Sequence, residues 1–187
     1  QNSGTVNVTS GVLNVGQFFS PQDGVYNVGA AGELTGGTIN FTGSTFSNSG
    51  LVSNNEINFS GGSVQTLTGN GQMQTMRMSN AAGVNLTGNQ TIYFFMHFGT
   101  GKITTGSNIL TISTDASVDG GSNASYVNGF VKRNYSNPGT IPFPTKLFPV
   151  GDAGFYAPVT ATCVSLSPDG NIDLTISTTG AAQPNLN

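Results

Sequence analysis

One short pattern, apolar–Asn–apolar–Thr/Ser–Gly, recurs along the first two thirds of the chain and restricts its folds more than any other feature. Gly4-Thr5-Val6-Asn7-Val8-Thr9-Ser10 matches Gly37-Thr38-Ile39-Asn40-Phe41-Thr42-Gly43. The short form returns as Ile57-Asn58-Phe59-Ser60-Gly61 and Val84-Asn85-Leu86-Thr87-Gly88, with a looser relative in Tyr26-Asn27-Val28-Gly29. In a strand, residues i and i+2 share a face, so each copy sends two apolar side chains inward and its Asn and Thr outward. Thr favours strands through its branched Cβ, and Gly admits the positive φ of a tight corner. A lone strand of this kind cannot bury its apolar face, but stacked copies can, each pairing with the coil below at about 4.8 Å.

The better copies lie 33, 18 and 27 residues apart, an irregular period. Similar short strands fall between them, at Val12–Val15, Ser63–Leu67 and Gln74–Met78, and after them, at Lys102–Thr105 and Asn108–Ile112. Roughly 18 to 27 residues per coil would divide residues 1 to about 130 into about five to seven coils, a section of roughly 25–35 Å. The expected fold is therefore all-β, a right-handed parallel β-solenoid over residues 1–128. A β-sandwich is the competing fold, and the repeated motif favours the solenoid. The most apolar run, Tyr93-Phe94-Phe95-Met96-His97-Phe98, reads as an inner wall of a coil.

Composition excludes much else. Asn, Ser and Thr supply 63 of 187 residues and Gly 27 more, whereas only 13 side chains are charged. Five scattered cations and a net charge of −3 cannot form the basic surface that nucleic acid requires. No run approaches the ~18 apolar residues of a membrane span. Disorder is a poor fit, because 36% of residues are hydrophobic and they alternate. A single Cys163 rules out an intrachain disulfide and reads as a small core residue. Gln at position 1 and the ending Gln183–Asn187 suggest cuts in a longer polypeptide.

The final third differs. Seven of eight prolines follow residue 137, and proline interrupts ladder pairing. Asn171–Ser177 alternates cleanly after a turn at Pro168–Asn171. A small antiparallel β module is expected over residues 129–187.

Tyr126-Val127-Asn128-Gly129-Phe130-Val131-Lys132-Arg133, then Phe148-Pro149-Val150-Gly151-Asp152 and Tyr156-Ala157-Pro158-Val159-Thr160, resemble a pattern of large secreted surface proteins of Bacteroidetes. In those proteins an Asn-Gly-x-Val-x-Arg strand leads to Phe-Pro-Val-Gly and then Tyr-x-Pro-Val-Thr. They are typically exported by the type IX system and resemble adhesins with β-solenoid repeats. The resemblance covers about residues 100–187. It implies a cell-surface location, an adhesive or structural part, an incomplete last β unit, and no catalytic residues, since the shared positions are turn and core residues.

The residues themselves point away from chemistry. The acids, Asp23, Glu33, Glu56, Asp115, Asp119, Asp152, Asp169 and Asp173, mostly stand alone in turn-like contexts. Acid–base work on sugars needs clustered carboxylates. Asp115/Asp119 and Asp169/Asp173 are close in sequence. The stretch Asp115–Asn123 offers oxygens of the kind that bind Ca²⁺, but neither segment has EF-hand spacing and both read as solvated turns. His97 has no second His or Cys nearby, so a zinc site is not expected and its ring should pack on the strand. The abundant Ser defines no triad, and Gly101 and Gly106 lack the Lys of a phosphate loop. Asn-x-Ser/Thr at Asn7, Asn40, Asn58, Asn85, Asn89, Asn123 and Asn134 follows largely from the strand consensus, which instead permits stacked Asn ladders.

No cofactor or metal is expected. The expected role is a non-catalytic structural or adhesive segment of an extracellular surface protein. Its partners would be other copies or segments of the same protein, joined at coil ends or by strand addition, or surface glycans. A carbohydrate-binding or carbohydrate-degrading β-helix is the alternative, and an ice-binding protein the third.

Overall fold

The computed structural model describes residues 3–16, 21–136, 144–152, 154–164 and 170–178. In chain order the strands are β1 (Thr5–Asn14), β2 (Pro21–Gln22), β3 (Val25–Thr35), β4 (Thr38–Phe41), β5 (Thr45–Asn48) and β6 (Leu51–Phe59). There follow β7 (Gln65–Thr68), β8 (Gln72–Ser79), β9 (Val84–Leu86), β10 (Gln90–Thr100), β11 (Ile103–Ile112) and β12 (Ser117–Gly120). Last come β13 (Val127–Ser136), β14 (Lys146–Phe148), β15 (Val150–Gly151), β16 (Val159–Ala161) and β17 (Asn171–Ser177). The described residues contain no helix. The chain is a parallel β-solenoid of about 7 turns with a small antiparallel sheet, as the repeats require.

Three parallel sheets wrap the core, and the longer strands bend at corners to serve two of them. In the first sheet, Val6, Tyr26, Phe46, Leu67 and Leu86 stack in register. Alongside them Val84, Ile103, Val127 and Val150 form a second column. In the second sheet, Leu13, Leu34, Val52, Met73, Ile92, Ile112 and Arg133 align. In the third, formed by β2, β4, β6, β8, β10 and β12, Ile39, Ile57, Met76, Met96 and Val118 align. From Val6 to Tyr26 a coil takes 20 residues, and from Ile103 to Val127 it takes 24.

The irregular spacing of the sequence motif now has a cause. Val6-Asn7-Val8, Tyr26-Asn27-Val28 and Val84-Asn85-Leu86 lie on the first sheet, whereas Ile39-Asn40-Phe41 and Ile57-Asn58-Phe59 lie on the third. One strand pattern serves two sides of each coil. Outside, Asn27 Nδ2 donates to Asn7 Oδ1 at 2.7 Å and Asn58 Nδ2 to Asn40 Oδ1 at 2.9 Å. Amides can do this because each carries both donor and acceptor. Inside, Tyr26 stacks on Phe46 at 5.6 Å between centroids, and Phe41 meets Phe46 edge-on at 5.4 Å.

Corners break the ladder and would strand carbonyls in the interior. Buried amides answer them. Gln65 Nε2 donates to Phe41 O at 3.0 Å and Gly43 O at 2.7 Å, and Gln90 Nε2 to Asn48 O at 3.0 Å and Gly69 O at 2.8 Å. Asn80 Nδ2 donates to Ser63 O at 2.8 Å and Gln65 Oε1 at 3.0 Å. One corner admits only glycine: Gly129 has φ +131°, and a Cβ there would lie 2.0 Å from Thr105 Oγ1. That hydroxyl accepts the Phe130 N–H at 2.9 Å.

Two expectations need correction. In the Tyr93–Phe98 run only Met96 and Phe98 face inward; Tyr93, Phe95 and His97 face outward, and Phe94 is exposed. The strand alternates there, and the β8–β10 register shifts between Ile92 and Phe95 as the coil turns. Cys163 is half-buried beyond the end of β16 and packs against the core edge instead of sitting within it.

The expected boundary between residues 128 and 129 falls inside β13, whose Phe130–Arg133 forms a parallel rung on β11. On its other side β13 pairs antiparallel with β17, and β14 pairs antiparallel with β16. Asp173 of β17 accepts hydrogen bonds from Asn134 and from Lys132 Nζ, the latter at 3.1 Å. These two contacts, Asn134 first, hold its carboxyl below the ordinary value of 3.8.

Gly129→Ala should lower the melting temperature by about 5–10 °C, from positive-φ strain plus the Thr105 clash. Gly62→Ala, where added Cβ meets open space, should change it by under about 2 °C; equal effects would refute the corner argument. Because the Asp173 pKa is depressed on folding, its contribution is complete above 3.8 and lost as pH falls below it. The protection factors of the β17 amides, with the intrinsic pH dependence of exchange divided out, should therefore fall as pH drops below 3.8, and Asp173→Asn should flatten that dependence.

Candidate ligand-binding face

The outward side of the third sheet gathers the side chains best suited to contact a ligand. Its register sets Asn40, Asn58, Arg77, His97 and Asp119 in one column, and Thr38, Glu56, Thr75, Phe95 and Ser117 in the next. Both columns alternate along their strands with buried residues such as Ile57, Met76 and Met96. The pleat therefore turns them outward, where Thr75 alone among them is covered by its neighbours.

Charged and polar groups here meet partners on the neighbouring coil. Arg77 Nε donates to Glu56 Oε1 at 2.9 Å and Nη2 to Oε2 at 3.1 Å, a bidentate pair. The hydrogen bonding of Arg77 to the Glu56 carboxylate is the main reason the Arg77 pKa rises, against a smaller opposing effect of burial. His97 Nδ1 lies 2.7 Å from Asp119 Oδ1. The His97 ring stacks on Phe95 at 4.0 Å between centroids, and Phe94 adjoins Phe95 at 6.4 Å. Phe94 is 57% exposed, so the strip carries an uncovered aromatic surface beside paired charges and the Asn40–Asn58 ladder.

The candidate residues from the sequence are distributed as follows. His97 packs its ring on the strand, as expected, and gains Asp119, which had read as a turn acid. Asp115 stays in a turn between β11 and β12, exposed. Asp119 is thus held by the neighbouring coil, and Asp173 is engaged with Lys132 and Asn134. Asp169 lies outside the described residues. Elsewhere Ser53 donates to Glu33, and Asp152 accepts the backbone N–H groups of Gly154 and Phe155 at 2.8 Å each, which lower its pKa. Among the described residues no three His, Cys, Asp or Glu side chains lie together as a metal would need.

Sequence reasoning missed the Glu56–Arg77 and His97–Asp119 pairs because the partners are 21 and 22 residues apart. The signal was present: extending the Asn40–Asn58 match by one coil at a time reaches Arg77, His97 and Asp119. Elsewhere an open groove of about 470 Å³ runs over Gly11, Gly32, Gly50 and Gly71, with Glu33 as its one charged lining residue.

A double-mutant cycle of Glu56→Gln and Arg77→Met should give a coupling of about 0.5–1 kcal/mol that fades in 1 M salt, as expected for a partly exposed pair. A coupling near zero in low salt would contradict the bidentate geometry.

Comparison of the chain with family models, with characterised proteins and with solved structures finds no match.

Proposed function

We propose that the chain is a non-catalytic structural and adhesive segment of an extracellular surface protein, and that the outward side of the third sheet is its binding face. The observation that carries this is the strip itself. An exposed Phe94 and the stacked Phe95–His97 pair adjoin the Asn40–Asn58 amide ladder and the Glu56–Arg77 ion pair. Such a surface suits the apolar face and hydroxyls of a glycan, with aromatic rings beneath the sugar and amides at its rim.

Support for a non-catalytic role comes from the carboxylates. Glu56 and Asp119 stand three strand spacings apart, about 14 Å along the stack, compared with the roughly 5–9.5 Å at which paired carboxylates hydrolyse glycosides. Each is also tied to a side chain of a neighbouring coil, Glu56 to Arg77 and Asp119 to His97. The scaffold serves presentation: backbone ladders between coils keep the strip rigid with little chain entropy left to lose on binding. The similarity of Tyr126–Arg133, Phe148–Asp152 and Tyr156–Thr160 to Bacteroidetes surface proteins supports the extracellular setting. Other copies or segments of the same protein are the second class of partner.

A glycan array followed by calorimetry on the best hit should show binding that Phe94→Ala/Phe95→Ala weakens at least about tenfold, with melting unchanged for the exposed Phe94→Ala alone. Prolonged incubation should release no reducing ends. Cleavage of the bound glycan would establish the degrading alternative, and failure to bind any glycan would remove this face as the adhesive one.

A further inference from the structure

Two of the chain's five cationic residues, Arg133 and Lys146, are each only 4% exposed. Arg133 takes the last place in the inward column that runs through Leu34, Val52, Met73, Ile92 and Ile112. Its Nη2 donates to Ala116 O at 2.9 Å and Nη1 reaches Leu147 O at 3.5 Å, while Nε is buried with no hydrogen-bond partner. Lys146 Nζ donates to Thr114 O and lies 5.3 Å from the Tyr135 ring centroid.

Among the described residues neither cation forms an ion pair, although Arg77 and Lys132 both do. Carbonyl oxygens and a ring face offer partial charge only. Two full positive charges thus sit side by side in a largely dehydrated place, which is costly without a full negative partner. Burial first, and then the neighbouring guanidinium, hold the Lys146 ammonium below the usual lysine range, with Asp115 opposing them. Both cations line an open pocket of about 320 Å³ together with Thr114, Asp115, Ser117 and Thr145.

We propose that this pocket binds an oxyanion, a carboxylate or sulfate group, carried by a molecule about the size of one sugar ring. The volume lies at the small end of ligand sites. Lys146 has donors beyond the one spent on Thr114 O, and the guanidinium fork suits a planar or tetrahedral anion. The incoming anion supplies the missing negative charge, and Asp115, a like charge at the rim, sets an upper limit on its affinity. This site does not depend on whether the third sheet takes a glycan.

The alternative is that Arg133 and Lys146 only tie down the carbonyls of the 114–116 turn. Titration of the full chain with sodium sulfate, D-glucuronate and neutral glucose, at ionic strength held constant with NaCl, separates the two. Sulfate or glucuronate should bind saturably and raise the melting temperature, and glucose should not. Asp115→Asn, at an exposed position, should tighten the anion about three- to tenfold by removing a like charge. Lys146→Gln, which keeps a donor for Thr114 O, should weaken it at least about tenfold. Tighter glucuronate assigns the group to an acidic sugar, and sulfate alone to a sulfated one. An anion effect no larger than that of chloride, or an affinity unmoved by Asp115→Asn, overturns the proposal even if Lys146→Gln fails to fold.

Discussion

Parallel backbone pairing between successive coils, about 4.8 Å apart, is the constraint on which the rest of this molecule depends. It makes each residue's nearest neighbour its counterpart one coil away, so every column must tolerate contact with itself. Aliphatic and aromatic side chains do this inside, where Ile39, Ile57, Met76 and Met96 stack. Asn does it outside, since an amide can donate to its own copy. Lys and Glu cannot, because like charges at that spacing repel. A chain with 13 charged residues among 187 is a consequence of this geometry as much as a statement about its surface.

Where charges do enter the stack they obey the same rule in a different form. Glu56 meets Arg77 in the next coil, and His97 meets Asp119, so opposite or complementary groups replace identical ones. These exceptions concentrate on the third sheet, beside the exposed Phe94. At the end of the stack the rule lapses. Arg133 succeeds Ile112 in an inward column, and β17 crosses β13 antiparallel. An antiparallel strand cannot continue a parallel coil, so the stack is closed on that side by β17 and the sheet of β14 and β16.

Much of this was legible in the residues. The alternation of Val6-Asn7-Val8 and its relatives specified strands, the inward face and the Asn ladders. The crowding of prolines after residue 137 marked the change of architecture. The boundary was harder to place, because Val127–Arg133 satisfies both units at once: its apolar residues complete the parallel column while its opposite edge pairs with β17. Buried Gln65, Asn80 and Gln90 were not legible as interior residues, since nothing local distinguishes an amide facing water from one facing an orphaned carbonyl at a corner.

The sequence by itself determined the period-two strands, the glycine corners and the preference for a stack, because these follow from local sterics and from the need to bury one face of many similar short strands. It did not determine which strands share a side. The same motif builds the first and third sheets, and only the closing of each coil sorts the copies between them. The candidate face and the Arg133–Lys146 pocket belong to that second category. Both join residues from separate strands of the fold, and only the tertiary register brings their charges together.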